Sequence, residues 1–231
     1  MTNKTNILII VTSHAKMGGQ DRQTGIWFEE LTTPYYAFLD AGAAVAIASI
    51  AGGKVPVDPH SMEAKDRPTS VTRFLKDENA MRQIETSRNI SELSVDEYDA
   101  VFLPGGHGVM WDMPENPLLS ALLSKAWAQG KVLAAVCHGP AGLVGATDET
   151  GKPLVSGRKV AAFTNEEEEM AGLTKEVPFL LESRIRELGA KYESGLAFQP
   201  FAVRDGKLVT GQNPASSEKV AELVLEAVKT S

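Results

Sequence analysis

The chain is 231 residues long, 43% hydrophobic, and carries a formal net charge of −7. That length buries one sizeable core, so a single α/β domain over residues 1–231 is expected, and the acidic balance excludes nucleic acid and anionic membranes as main partners, since both need clustered Lys and Arg. One cysteine in the whole sequence excludes an internal disulfide and a zinc–thiolate cluster, leaving nucleophilic or redox chemistry for a working thiol.

No apolar run approaches the roughly 20 residues of a membrane span. Residues 1–5 lead into a strand-like run without a leader-peptide cleavage pattern, so a cytoplasmic location is expected. Residues 6–12 are a continuous Ile/Leu/Val run followed by Ser13, His14 and a glycine-containing loop to Gly25, the pattern of a buried parallel strand. Residues 27–41 carry apolar side chains at helical spacing, interrupted at Thr33-Pro34. Thr33 fits an N-cap and Pro34 the first helical position, which puts Glu30 just before the main helix or in a first turn bent by Pro34. Residues 43–50 form a second strand, ended by Ala51-Gly52-Gly53. A polar excursion around 51–98, with Pro56, Pro59, Pro68 and a weak helix over 74–84, has too few apolar residues for a core of its own and reads as a small inserted decoration.

Residues 100–103 are a third strand, ending in Pro104-Gly105-Gly106-His107-Gly108, where glycines let backbone N–H groups approach a ligand. An amphipathic helix over 117–128 leads into residues 131–136, a short aliphatic run that reads as a strand buried on both faces. Cys137-His138-Gly139-Pro140 then forces a change of backbone direction. With a helix over 141–145, Cys137 sits at a strand–turn–helix nucleophile elbow. The helix N–H groups favour thiolate there, with a pKa expected in the roughly 3.5–7.5 range of activated cysteines and ready oxidation to a sulfenic or sulfinic acid.

Beyond the elbow, residues 159–163 read as a strand and 166–170 as a short acidic helix. Residues 177–188 read as a helix with Pro178 near its start and Gly189 as its stop. Residues 201–210 alternate around Asp205-Gly206, a hairpin signal, and Asn213-Pro214 caps a last helix reaching Lys229. The β/α alternation predicts a sandwich of helices around a mostly parallel sheet, with ligands beyond the carboxyl ends of the strands, where His14, Gly106 and Cys137 fall.

The four histidines are His14, His60, His107 and His138. None follows His138, so a papain-type or class I glutamine amidotransferase-type triad with a downstream histidine cannot be assembled. His138 is the candidate base, and the acidic run 166–169 is the natural source of a carboxylate to orient it, with the other three glutamates solvated. His14 and His60 have no partner at metal-ligand spacing; no metal and no other cofactor is expected.

Several segments together resemble the PfpI/ThiJ superfamily over nearly the whole chain. They are Gly25-Ile26-Trp27-Phe28-Glu29-Glu30 with Pro34, Leu103-Pro104-Gly105-Gly106-His107-Gly108, Ala135-Val136-Cys137-His138-Gly139-Pro140, Phe163-Thr164-Asn165, Val177-Pro178-Phe179-Leu180-Leu181-Glu182 and Thr210-Gly211-Gln212-Asn213-Pro214. The excursion and the glutamate after the elbow are most similar to the glyoxalase III branch, whose members are also described as holding chaperones and protein deglycases. The resemblance implies a flavodoxin-like, class I glutamine amidotransferase-like three-layer α/β/α fold and a homodimer. It makes Cys137 the nucleophile, His138 its basic neighbour and Glu30 a carboxylic acid facing the thiol, kept protonated by the thiolate charge. Glu168, or Glu167 with a slip of one, stands behind His138. Gly106 and the His138 amide are implied as oxyanion donors, with His107 lining the pocket. The implied activity is glutathione-independent conversion of a small 2-oxoaldehyde such as methylglyoxal to a 2-hydroxy acid, D-lactate, through a Cys137 hemithioacetal. A holding chaperone or deglycase is the alternative, ahead of a cysteine peptidase or amidase.

Overall fold

Both faces of β1 (Asn6–Val11) are apolar, and this strand lies between two cores. Ile7, Ile9 and Val11 turn toward one helical layer and Leu8 and Ile10 toward the other, all fully buried, as the two-residue repeat of a strand covered on both sides requires. The computed structural model describes residues 4–18, 22–63 and 67–230. The first three residues of the segment read for a leader pattern, 19–21 of the loop after β1, 64–66 of the excursion and residue 231 lie outside the described residues.

β1 pairs in parallel with β2 (Ala44–Ser49) and with β4 (Ala100–Leu103). Beyond β2 lies the parallel β3 (Arg88–Asn89). Beyond β4 come the parallel β5 (Val132–Val136) and β9 (Leu208–Gly211), and the antiparallel β8 (Ala202–Asp205) closes the edge, giving the order β3-β2-β1-β4-β5-β9-β8. β6 (Lys159–Val160) and β7 (Lys191–Tyr192) form a separate parallel pair. On one face the core is completed by α1 (Phe28–Asp40), α3 (Thr69–Lys76), α4 (Glu78–Glu85) and α9 (Ser217–Lys229). On the other it is completed by α5 (Val109–Asp112), α6 (Pro117–Ala128) and α8 (Leu181–Glu187). The expected three-layer α/β/α sandwich is therefore present. Two further helices, α2 (Pro59–Glu63) and α7 (Asn165–Met170), carry residues of the site described below. Among the described residues no helix is long and apolar enough to cross a membrane.

Away from the Cys137 elbow, four elements differ from their sequence pattern, each for a local reason. α1 begins at Phe28, with Trp27 as N-cap, and Pro34 lies inside it, so Glu30 sits in the first turn. A proline there removes the hydrogen bond its N–H would give to the Glu30 carbonyl, while Leu31, Tyr35 and Phe38 continue one buried stripe. The weak helix at 74–84 is two helices broken at Asp77, whose carboxylate caps α4 by accepting from the Asn79 and Ala80 N–H groups at 3.1 Å. The helix expected over 177–188 is confined to Leu181–Glu187, because the Val177 N–H closes the preceding turn onto the Leu173 carbonyl at 3.2 Å. The strand expected over 159–163 stops at Val160, because the next amides are used elsewhere: Ala161 N–H donates to Thr210 Oγ1 at 2.8 Å and Phe163 N–H to the Cys137 carbonyl at 2.9 Å.

The excursion around 51–98 adds to the main core. Val71 and Phe74 are fully buried, and the Phe74 ring meets Phe28 and Tyr35 edge-on at centroid distances of 5.4 and 5.2 Å. At the other end of the chain the hairpin has its expected two-residue turn, with Gly206 at φ +61° where a side chain would be strained.

Candidate active site

Cys137 leaves β5 in the left-handed region, at φ +60°, and is 3% exposed. A non-glycine residue there costs on the order of 1–2 kcal/mol, and two backbone bonds hold it: Cys137 N–H to the Gly211 carbonyl at 3.0 Å and Phe163 N–H to the Cys137 carbonyl at 2.9 Å. The segment after it is a 3₁₀ turn, Gly139–Leu143, rather than the expected helix over 141–145. Against the elbow lies the loop after β4. A Cβ on Gly105 would fall 2.6 Å from the His138 nitrogen, and one on Gly106, at φ +98°, would fall 2.3 Å from the Trp27 nitrogen. Only glycine lets this loop reach both the elbow and the start of α1.

Behind the thiol runs a chain of hydrogen bonds. Cys137 Sγ is 3.3 Å from His138 Nδ1, and His138 Nε2 is 2.8 Å from Glu168 Oε2. The other oxygen of the same carboxylate, Oε1, is 2.8 Å from His107 Nε2. Burial pushes the Glu168 carboxyl up, but the hydrogen bonds from His107 and His138 outweigh it and hold the group well below the usual carboxylate range. An ionised carboxylate has no proton to give, so both Nε2 atoms must donate. Burial, then the neighbouring His107, push His138 down and keep its ring neutral. The Nδ1 lone pair is thus left facing the thiol, the tautomer a base for Cys137 needs.

The thiol itself departs from expectation. Burial first, then the charge of Glu30, push Cys137 well above its ordinary value, while the His138 amide N–H works the other way. A single 3₁₀ turn does not offset burial, so the lowered pKa read from the elbow pattern is not found, and the ready oxidation inferred from that pKa loses its premise. The resting group is a thiol whose base is already in place.

Glu30, fully buried in the first turn of α1, accepts the Gly105 N–H on Oε2 at 2.7 Å. Its Oε1 has no hydrogen-bond partner of ordinary geometry among the described residues. Burial raises the carboxyl to about 8, against the pull of the nearby Cys137 thiol and the Gly105 N–H. It is protonated at neutral pH, as expected, but the cause is desolvation and not the charge of a thiolate.

The acidic run is where the sequence reading needs most correction. Glu166 and Glu169 are exposed, but both Glu167 and Glu168 are buried. Glu167 does not reach His138. Its Oε2 accepts Thr164 N–H and Oγ1–H at 2.9 and 3.0 Å, and its Oε1 accepts Phe198 N–H, Gln212 Nε2 and Asn213 Nδ2 at 2.7, 3.0 and 2.8 Å. The alternative between the two glutamates resolves in favour of Glu168. The signal was in the sequence, since Thr164-x-x-Glu167 is a capping box that commits Glu167 to backbone. Gln212, together with Asn213, read only as helix capping, also ties Glu167 to the loop carrying Phe198, which stands at φ +56° with its ring 6.1 Å from that of Phe163.

Cys137, His138 and Glu30 face a cavity of about 290 Å³ whose lining also includes Trp27, Phe163 and Phe198. Gly106, His107 and His138 line it. Arg22, Asp58 and His60 also reach it, which nothing in the local sequence pattern indicated. Among the described residues, His107, His138 and Glu168 have ligand atoms within 4.8 Å of one another, close enough for a metal ion. Both Nε2 atoms are already satisfied by the carboxylate, so an ion would have to displace two protons.

A mostly parallel α/β sandwich that presents a cysteine at a left-handed elbow, with a histidine–carboxylate pair behind it and a buried glutamic acid in front, defines a class of cysteine-elbow proteins. The model described as the DJ-1/PfpI family matches residues 25–227, and the chain belongs to that family. The glutathione-independent glyoxalase HSP31 of Saccharomyces cerevisiae is 33% identical over 96% of this chain and 98% of its own. Two crystal structures superpose closely. The Francisella tularensis Rapid Encystment Protein 24 kDa has a TM-score of 0.93 at 37% identity, covering 97% of this chain and 99% of that one. Glyoxalase III of Candida albicans has a TM-score of 0.87 at 29% identity, covering 96% and 97%.

Proposed function

We propose that this protein is a glutathione-independent glyoxalase of the glyoxalase III type, converting methylglyoxal or a similar 2-oxoaldehyde to a 2-hydroxy acid on Cys137. The observation that carries the reading is the Cys137–His138–Glu168 chain facing a protonated Glu30 across a cavity sized for a small molecule. The similarity to glyoxalases across almost the whole chain supports it.

The steps up to the thioester draw on Cys137, His138, Glu168 and Glu30. Sγ adds to the aldehyde carbon C1 as the thiol proton passes to His138 Nδ1, and Glu168 stabilises the imidazolium; return of that proton to O1 gives the hemithioacetal. The amides of Gly106 and His138 serve as donors to the oxyanion, each such donor being worth about 10²–10³ in rate. His138 then takes the C1 proton while Glu30 gives its proton to the ketone oxygen, forming an enediol. The His138 proton goes to C2 and the O1 proton to Glu30, leaving a thioester. C1 is oxidised and C2 reduced, so no external redox partner is needed. Acid–base steps of this kind contribute about 10²–10⁴. Water cleaves the thioester, releasing D-lactate and the thiol.

The test is purified protein with methylglyoxal and no glutathione, following substrate loss and the chirality of the lactate formed. Expected are D-lactate from the wild type and none above background from Cys137→Ala. Lactate formation that survives Cys137→Ala, or none from the wild type, ends this reading.

A further inference from the structure

The mechanism leaves its last step without a base. Once the thioester has formed, a water molecule must be deprotonated as it attacks, and the groups nearest the sulfur are badly placed for this. Glu30 is fully buried and holds a proton again once the thioester has formed, and His138, 1% exposed with its Nε2 on Glu168, is shut off from bulk water. His107 is buried with its Nε2 on Glu168.

A second histidine–carboxylate pair, His60 and Asp58, lines the same cavity. Asp58, 3% exposed, accepts on Oδ1 from the His60 backbone N–H at 3.0 Å and from His60 Nδ1 at 3.1 Å, and on Oδ2 from Thr24 Oγ1 at 3.0 Å. Its own backbone is fixed, with Asp58 N–H on the Ile26 carbonyl at 2.9 Å and the Ser61 hydroxyl on the Asp58 carbonyl at 2.6 Å. A carboxylate held this way orients the ring, places the proton on Nδ1 and leaves Nε2 as an acceptor. The His60 side chain is 54% exposed, whereas the other histidines and the carboxyls lining the cavity are buried. Of these groups it is the one that meets both bulk water and the cavity.

We propose that His60, positioned by Asp58, is the general base for hydrolysis of the Cys137 thioester, an inference that rests on the glyoxalase reading. Water oxygen attacks the thioester carbonyl carbon as one water proton moves to His60 Nε2. The tetrahedral intermediate collapses, the C–S bond breaks and Sγ leaves as thiolate. The new carboxylic acid gives its proton to the sulfur, restoring the thiol, and His60 releases its proton to solvent. The site is thus divided between an inner histidine that serves the thiol and an outer one that serves water.

The experiment compares wild type, His60→Gln and Asp58→Asn in rapid-quench reactions with methylglyoxal, without glutathione. Acid-quenched protein is weighed intact and treated with hydroxylamine, which releases a thioester as lactohydroxamate but does not do so from a hemithioacetal. Expected for His60→Gln are acylation of Cys137 at the wild-type rate, accumulation of hydroxylamine-labile adduct approaching one per chain, and a fall in kcat of about 10²–10⁴. Asp58→Asn should shift both in the same direction by less. Unchanged acylation shows that the variant's site is intact. The proposal is overturned if His60→Gln turns over within twofold of wild type, or if it loses turnover without accumulating thioester. Absence of lactate from the wild type would instead remove the glyoxalase reading itself.

Discussion

Glu168 holds His138 and His107 at the same distance, 2.8 Å, one on each carboxylate oxygen. Because the carboxylate is fully ionised there, it dictates the protonation of both rings and aims the His138 lone pair at Cys137. Glu168→Gln replaces one acceptor oxygen with an N–H donor, so one ring loses its partner and His138 is driven toward the Nδ1–H tautomer that presents a proton to the thiol. The expected result is a fall in kcat of about 10³–10⁴ with little change in KM, as when the orienting carboxylate of a catalytic triad is made an amide. Steady-state kinetics with methylglyoxal measures it, and a loss under tenfold would contradict the tautomer argument.

Glu30 ties stability to pH. Its carboxyl is at 4.5 when exposed and at about 8 in the fold. Below pH 4.5 both states are protonated and burial carries no ionisation penalty. Between 4.5 and 8 the unfolded chain loses its proton while the native one keeps it, so stability falls as pH rises, by on the order of 3–5 kcal/mol in all. Glu30→Gln removes this dependence. Urea titrations at several pH values should show the variant gaining on the wild type from pH 5 to 8; a constant difference would mean that Glu30 ionises normally.

The thiol should be sluggish at neutral pH. Burial and the Glu30 charge raise Cys137, so iodoacetamide labelling is expected to be slow at pH 7 and to accelerate only above pH ~9. Glu30→Gln, which removes that charge, should move the labelling profile to lower pH. Fast wild-type labelling at pH 7 would show that the site stabilises thiolate after all.

Glu167 is a structural carboxylate. It accepts five hydrogen bonds and anchors the strained Phe198 to α7 and to Gln212 and Asn213. In Glu167→Gln an amide N–H must face some of those donors, and a loss of about 2–4 kcal/mol is expected from unfolding titrations. A neutral effect would mean that the loop reorganises freely.

Phe74 tests the integration of the excursion into the domain. Its ring is fully buried against Phe28 and Tyr35, so Phe74→Ala should cost about 3–5 kcal/mol in one cooperative transition. A separate early transition for residues around 51–98 would show that this segment folds as an appendage.

Elements whose signals are local were legible in the sequence. The all-aliphatic run of β5, the amphipathic spacing of α6 and the Asp205-Gly206 hairpin each depend on side-chain pattern or backbone φ within a few residues. The position of Cys137 after a buried strand and before Gly139-Pro140 was legible for the same reason, as was the need for a histidine next to it. Its protonation state was not. The elbow motif suggests helix-end stabilisation of a thiolate, but the pKa depends on how completely Glu30, Gly105 and the 3₁₀ turn exclude water, and that is decided by layers brought together from distant parts of the chain.

The sequence by itself determined the β/α alternation, the glycine loops and the residue types from which the site is built, because these follow from short-range sterics and the repeat of apolar positions. The Thr164-x-x-Glu167 capping box takes Glu167 away from His138, but only tertiary packing brings the Glu168 carboxylate between His138 and His107. It likewise placed His60 and Asp58 at the cavity, through contacts of the excursion with Thr24 and Ile26 that no local pattern encodes.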